Sequence, residues 1–277
     1  MSRKKILVVD VAAQHSGGAA ILKEFFQYVC RYGQNYEWMF LVSVVQLDVP
    51  DKCADFIKVE YHTEMKKNLL SRIHWEMKDL RKVIPDFIPD VVLSLQNLMV
   101  NIKNVPQIVY MHQSLPFQDI KRFSFLKSDE RASAFQQHLM GYLIKKSIKR
   151  ADGVIVQTPW VKDAVVKKTG VSPNKILVSS PSLHIPDISK KSRLYKDVYE
   201  CEKPVLFYPA LPLPYKNHLK LLQAQKKLRE QKLDIRIVLT IDKADAKAKE
   251  LCKYVNDNSL DDCVFRIFKK GRTVGNY

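Results

Sequence analysis

The chain has 277 residues, of which 46% are hydrophobic and 27% charged, enough for two domains with cores of their own and too apolar for a disordered chain. It contains no run of about 18 apolar residues that could cross a membrane, and its five cysteines are scattered without a CxxC pair, which excludes a zinc site or a disulfide framework and favours a reducing cytoplasm. A net charge of +17 attracts polyanions or an anionic membrane surface, but the basic residues fall in scattered doublets, and no helix-turn-helix, RNA-recognition or zinc-finger pattern supports nucleic-acid binding.

In chain order, residues 6–11 (Ile-Leu-Val-Val-Asp-Val) read as a buried strand. Gly17 and Gly18 follow at the turn into a helix through Ile21 to Tyr28, where the absence of side chains lets backbone approach a ligand. This is not a GxGxxG fingerprint, and no acidic residue closes a clear second strand, so a dinucleotide dehydrogenase is disfavoured. Residues 38–45 read as the next strand. Residues 65–84 form an amphipathic helix with Met65, Leu69, Ile73, Met77, Leu80 and Ile84 on one face and lysines and arginines on much of the rest. Strands follow at 90–95 and 107–111, the second running into His112-Gln113-Ser114 before a proline stop. Strand ends line the ligand crevice of open parallel sheets, which makes His112 a candidate site residue beside its alternative as a structural histidine. A second basic helix, 135–150, sets Leu139 and Leu143 against Lys145, Lys146, Lys149 and Arg150. Either basic helix can pack on the core with a solvated cationic face, the favoured reading, or lie on anionic lipid.

Strands at 153–157 and 176–178 complete the first half, and residues 179–201, rich in lysine and poor in apolar side chains, read as an interdomain linker. Beyond it, residues 204–208 read as a short buried strand. Three prolines then hold residues 209–214 extended, and Lys216 stands just before a helix over 219–232. A lysine beside a helix start is a plausible anion site, since the first turn leaves N–H groups free. A last strand falls at 235–239. Strands alternating with helices predict an α/β protein with parallel sheets.

Taken together, the Gly-Gly turn, the strand ending in His112, the Ala151-Asp152-Gly153-Val154 strand and the Tyr208-Pro209-Ala210 loop leading to Lys216 resemble glycosyltransferase family 4. The resemblance runs from Ile6 to about Val264. It implies a GT-B fold of two Rossmann-like domains, the second incomplete: an acceptor-side domain over 1–185, a linker over 186–203 and a partial donor-binding domain over 204–277. It implies a cytoplasmic enzyme, peripheral at the inner face of a membrane, that moves a sugar from a nucleotide-sugar donor to a polysaccharide or lipid-linked acceptor, with retention and without a bound metal or cofactor. In that scheme Lys216 clamps the donor diphosphate, His112 faces the donor sugar, and Gly17 and Gly18 let backbone approach it.

Two departures stand out. The family's arginine six residues before the lysine is Ala210 here, and no two glutamates lie eight residues apart, so the family's sugar- and ribose-binding pair is missing. Residues 265–277 suit no compact element. A one-base slip of the reading frame near Phe265 is one route to that ending, and it predicts a longer natural protein and a chain of little or no activity. The other readings are a non-catalytic remnant of such an enzyme and, behind it, a basic nucleic-acid-binding protein.

Overall fold

The computed structural model describes residues 3–13, 16–63, 75, 80–181, 203–241 and 246–267. The chain separates into two compact units, Met1–His184 and Ile185–Tyr277.

The first unit is built on seven parallel strands, β1 (Lys4–Asp10), β2 (Tyr36–Val42), β3 (Ile57–Tyr61), β4 (Val91–Ser94), β5 (Gln107–Met111), β6 (Gly153–Val156) and β7 (Ile176–Val178). Their order is β3-β2-β1-β4-β5-β6-β7, so the chain winds outward from β1 in both directions and the winding reverses between β1 and β4. Parallel strands need cover on both faces. On one face Leu22, Phe26 and Val29 of α1 (Ser16–Tyr32) pack on Val8, Phe40 and Val42. On the other, Trp75 with Leu80 and Phe87 of α2 (Leu80–Phe87) covers Leu7, Val9, Met39 and Leu41. Further along the sheet, Ile144 and Ile148 of α4 (Gly141–Arg150) and Val161 and Val165 of α5 (Pro159–Thr169) cover Val109, Met111, Val154 and Val156. Each fully buried side chain of this kind contributes about 1.5–3 kcal/mol.

An aspartate just before a strand sets the register twice. The Lys5 N–H donates to the Asp90 carboxylate at 2.7 Å while the Asp90 N–H donates to the Lys5 carbonyl at 2.9 Å. The Gln107 N–H donates to Asp152 at 2.8 Å and the Asp152 N–H to the Gln107 carbonyl at 2.9 Å. Both sequences, Pro-Asp-Val-Val and Ala-Asp-Gly-Val, place the carboxylate where it caps the neighbouring strand's free N–H.

The expected helix over 65–84 lies largely outside the described residues; its described end continues past Ile84 to Phe87, with Pro85 inside it. The expected helix over 135–150 is interrupted. It begins as α3 (Arg131–Ala134), widens into a π-helix over Phe135–Met140 and returns to α geometry in α4. The π turn shifts the helical register, so Leu139 is exposed and Ile144 and Ile148 supply the apolar face. Strand β3 was not expected from sequence, although Ile57, Val59 and Tyr61 alternate with Lys58 and Glu60.

In the second unit β8 (Val205–Tyr208), β9 (Arg236–Thr240) and β10 (Val264–Ile267) form a parallel sheet in the order β10-β9-β8, with helices α6 (His218–Glu230) and α7 (Ala246–Asp257). Its core joins Leu222, Ile237, Leu239, Leu251, Val255 and Val264. One expectation is corrected. β8 is not buried: Leu206 and Phe207 are 45% and 53% exposed, and among the described residues the strand is a sheet edge that pairs with β9 alone. Residues 264–267 form a short strand, the most that the expected ending allows: Val264 aligns with Ile237 and its side chain enters the core despite the nearby cations. The expected linker over 186–203 falls almost entirely outside the described residues.

Candidate active site

The reversal between β1 and β4 puts a crevice at the carboxyl ends of the strands, where an open parallel sheet binds its ligands. Gly17 and Gly18 sit at this edge, one position further into the helix than expected, in the first turn of α1. A Cβ on Gly17 would meet nothing within 4 Å, and one on Gly18 would touch only the Ala13 Cβ at 4.0 Å. Packing therefore does not require either glycine. What they leave is open space above N–H groups of a helix start.

His112 follows β5 directly, and Asn97, beyond the end of β4, fixes it. The Asn97 Oδ1 accepts the N–H groups of His112 at 2.8 Å and Gln113 at 2.9 Å. That settles the amide orientation, so the Nδ2 donates to the His112 Nε2 at 3.2 Å. An imidazole nitrogen that accepts carries no proton. The proton therefore sits on Nδ1, which is buried and has no partner among the described residues. Burial also pushes the His112 pKa below its usual value, favouring the neutral ring. Asn97 adopts φ 65°, a left-handed conformation that asparagine tolerates well. Sequence reasoning missed it; an asparagine just past a strand end was the available signal.

Two neighbouring strand ends carry similar unpaired groups. Among the described residues, Gln96, 4% exposed, has no partner for either amide atom, and Thr158, at the start of α5, has none for its hydroxyl. Thr158 occupies a helix N-cap, yet its side chain makes no capping bond. Buried polar groups without partners are uncommon, and here they stand at the ends of three adjacent strands, β4, β5 and β6. The loop after His112 is held from below. A Cβ on Gly141 would lie 2.8 Å from the Pro116 Cβ, so only glycine lets α4 come this close to the Leu115–Phe117 turn.

A separate cleft of about 440 Å³ beside α1 is lined by Ile21, Phe25, Tyr28, Leu93, Tyr110 and Ile155 among others. The Tyr110 hydroxyl there accepts from the Gln157 Nε2 at 3.0 Å. None of the expected site residues lines this cleft.

Lys216 belongs to the second unit. It ends a short 3-10 turn over Pro214–Lys216, and Asn217 (φ 54°) then redirects the chain into α6, which begins at His218. Its ammonium group lies 5.4 Å from the Tyr215 ring centroid, and its carbonyl accepts the Tyr208 hydroxyl at 2.6 Å. His218 is buried and donates from Nε2 to the Ala210 carbonyl at 3.1 Å, which closes the proline loop. Among the described residues no three His, Cys, Asp or Glu side chains are grouped to hold a metal ion. No described helix is long and apolar enough to cross a membrane.

Solved structures resemble this architecture over nearly the whole chain. A glycosyltransferase from Rickettsia africae superposes with a TM-score of 0.58 at 13% identity, covering 98% of this chain and 69% of that one. Anabaena HepE in complex with UDP-glucose gives 0.59 at 15% identity, covering 96% and 69%. The fold is GT-B. The same fold includes a UDP-N-acetylglucosamine 2-epimerase from Rickettsia bellii, with a TM-score of 0.55 at 12% identity over 97% of this chain and 70% of that one. No family model matches the chain, and neither does any curated protein sequence.

Proposed function

We propose that this protein transfers a sugar from a nucleotide-sugar donor, a uridine diphosphate sugar in the first instance, to a polysaccharide or lipid-linked acceptor at an anionic membrane surface. The observation that carries the reading is His112. It is neutral, and its one imidazole N–H is buried and without a partner among the described residues, at the end of a central strand of a GT-B sheet. Solved structures of this fold include a glycosyltransferase from Rickettsia africae and Anabaena HepE in complex with UDP-glucose.

In this reading residues 1–185 form the acceptor-side domain and residues 204–277 contribute to donor binding. The His112 Nδ1–H donates to a donor-sugar hydroxyl. Lys216 meets the diphosphate and stabilises the charge that builds on it as the glycosidic bond breaks, so no metal is needed for that role. Gly17 and Gly18 let the helix start approach a phosphate-bearing ligand. The transfer retains anomeric configuration.

Calorimetric titration with uridine diphosphate and its sugars tests the assignment. Lys216→Ala should weaken diphosphate binding about 10- to 100-fold, the worth of one charge-assisted contact. His112→Ala should lower transfer more than nucleotide affinity. Unchanged affinity in Lys216→Ala would make Lys216 a solvated loop residue, and a chain that binds no nucleotide sugar would overturn the function.

A further inference from the structure

The loop over residues 118–131 has an unusual surface. Ile120 is 97% exposed, Leu126 91% and Phe125 51%. Single exposed apolar residues are ordinary, but three within seven residues of one loop are not. The loop is not loose. The Phe123 ring is buried, its N–H donates to the Gln137 Oε1 at 2.9 Å, and its carbonyl accepts from the His138 Nε2 at 3.0 Å. The Ser124 N–H and the Lys121 ammonium both bind Glu130, at 3.0 and 2.9 Å, and the Arg131 Nε donates to the Phe125 carbonyl at 3.2 Å. The backbone's polar groups are turned inward while the apolar tips are held out. Arg122, Phe125 and Leu126 line one shallow hollow with His138.

Charge gives the partner. The loop carries Lys121, Arg122, Lys127 and Arg131 against Asp119, Asp129 and Glu130. Lys167 and Lys168 reach Asp119 from α5, and Lys145 lies within electrostatic range of that pair, so the base of the loop is strongly cationic. Arg122 has no ion-pair partner among the described residues. Apolar tips ringed by cations suit the boundary between lipid headgroups and acyl chains. They do not suit a second copy of the chain, which would bring the same cations face to face.

We propose that residues 118–131 dock the protein on an anionic lipid bilayer, with Ile120, Phe125 and Leu126 inserted at the headgroup boundary and Arg122 among the phosphates. This names a contact surface for the membrane-located reading above, yet the binding itself requires no sugar transfer. The test is flotation of the purified full chain with phosphatidylcholine vesicles, with and without phosphatidylglycerol. The protein should bind only the anionic vesicles and release with salt. The triple variant Ile120→Ser, Phe125→Ser, Leu126→Ser and the separate variant Arg122→Glu should each bind about tenfold more weakly. Ile88→Ser, which alters an exposed apolar residue outside the loop, should bind normally. Equal binding by the loop variants, no binding by the unaltered chain, or a loop-dependent dimer in sizing would each overturn the proposal. Nucleotide titration of the same variants separates the two readings: absent nucleotide binding removes the sugar-transfer function and leaves the docking result standing.

Discussion

Asn97 decides what His112 can do. Its Oδ1 is committed to two backbone N–H groups, so only its amine faces the imidazole. Asn97→Asp should keep those two bonds while setting a carboxylate oxygen against Nε2. The ring must then carry its proton on Nε2 and will charge more readily. We expect the His112 pKa to rise and its nitrogen chemical shifts to exchange tautomeric pattern, both visible by NMR of ¹⁵N-labelled protein. An unchanged tautomer would show that Asn97 does not set it. Of this small assembly the sequence displays His112, because a histidine ending an apolar run is conspicuous. Asn97 is hidden, since its role depends on a left-handed backbone and on β4 and β5 being neighbours. The unpaired Gln96 and Thr158 are hidden for the same reason: a missing partner is a property of packing.

At the scale of elements, the buried central strands were readable because they are continuous apolar runs. β3 shows a plain alternation but is an edge strand with charged residues on one side, and β10 is obscured by Arg266 beside its apolar residues. Apolar composition marks β8 as a strand of buried type, and its exposure depends on how few neighbours it acquires, which composition alone does not reveal. The π segment likewise has no sequence period of its own, and a 3.6-residue repeat carried through it misplaces Leu139. One buried side chain holds the connection between β4 and β5 in place. Gln107 accepts the Val100 N–H at 3.1 Å and donates to the carbonyls of Val100 at 3.1 Å and Ile102 at 2.9 Å. Gln107→Leu fills a similar volume but leaves two buried backbone groups unpaired, the Val100 N–H and the Ile102 carbonyl, while the Val100 carbonyl keeps the Ile102 N–H at 2.9 Å. It should cost about 2–3 kcal/mol, read as a lower urea midpoint at unchanged slope.

For the whole molecule, pH acts through two buried histidines, one in each unit. Burial lowers the pKa of His112 and of His218 from 6.5. The unfolded chain therefore takes up protons near pH 6.5 while the folded chain still resists. Their contribution to stability is complete above about pH 6.5, declines as pH falls below it, and levels off once pH passes the lowered folded values. The slope from each is at most about 1.4 kcal/mol per pH unit. Thermal unfolding between pH 8 and pH 5 should show a plateau and then a fall, and replacing both histidines by glutamine should flatten the fall. A midpoint insensitive to pH across that range would contradict the assignment of both rings as neutral.

The π-helix has a consequence for lineage and for engineering. At its end the Gly141 N–H still reaches back five residues to the Gln136 carbonyl. Such a turn is what remains when one residue is inserted into an α-helix, and it can be undone by removing one. Deleting Gln136, which is exposed, should close residues 131–150 into a continuous α-helix and turn α3 by about 100° relative to α4. Ile144 and Ile148 would stay seated on the sheet, so melting should change little. Glu130, Gln137 and His138, which grip the 118–131 loop, could not all keep their hold. Trypsin should then cut at Lys121, Arg122 and Lys127, sites that the unaltered protein presents on a braced backbone. The direction in which this protein offers its apolar tips would thus be heritable as a residue count: loss or gain of one codon could retarget the loop without altering any side chain in it.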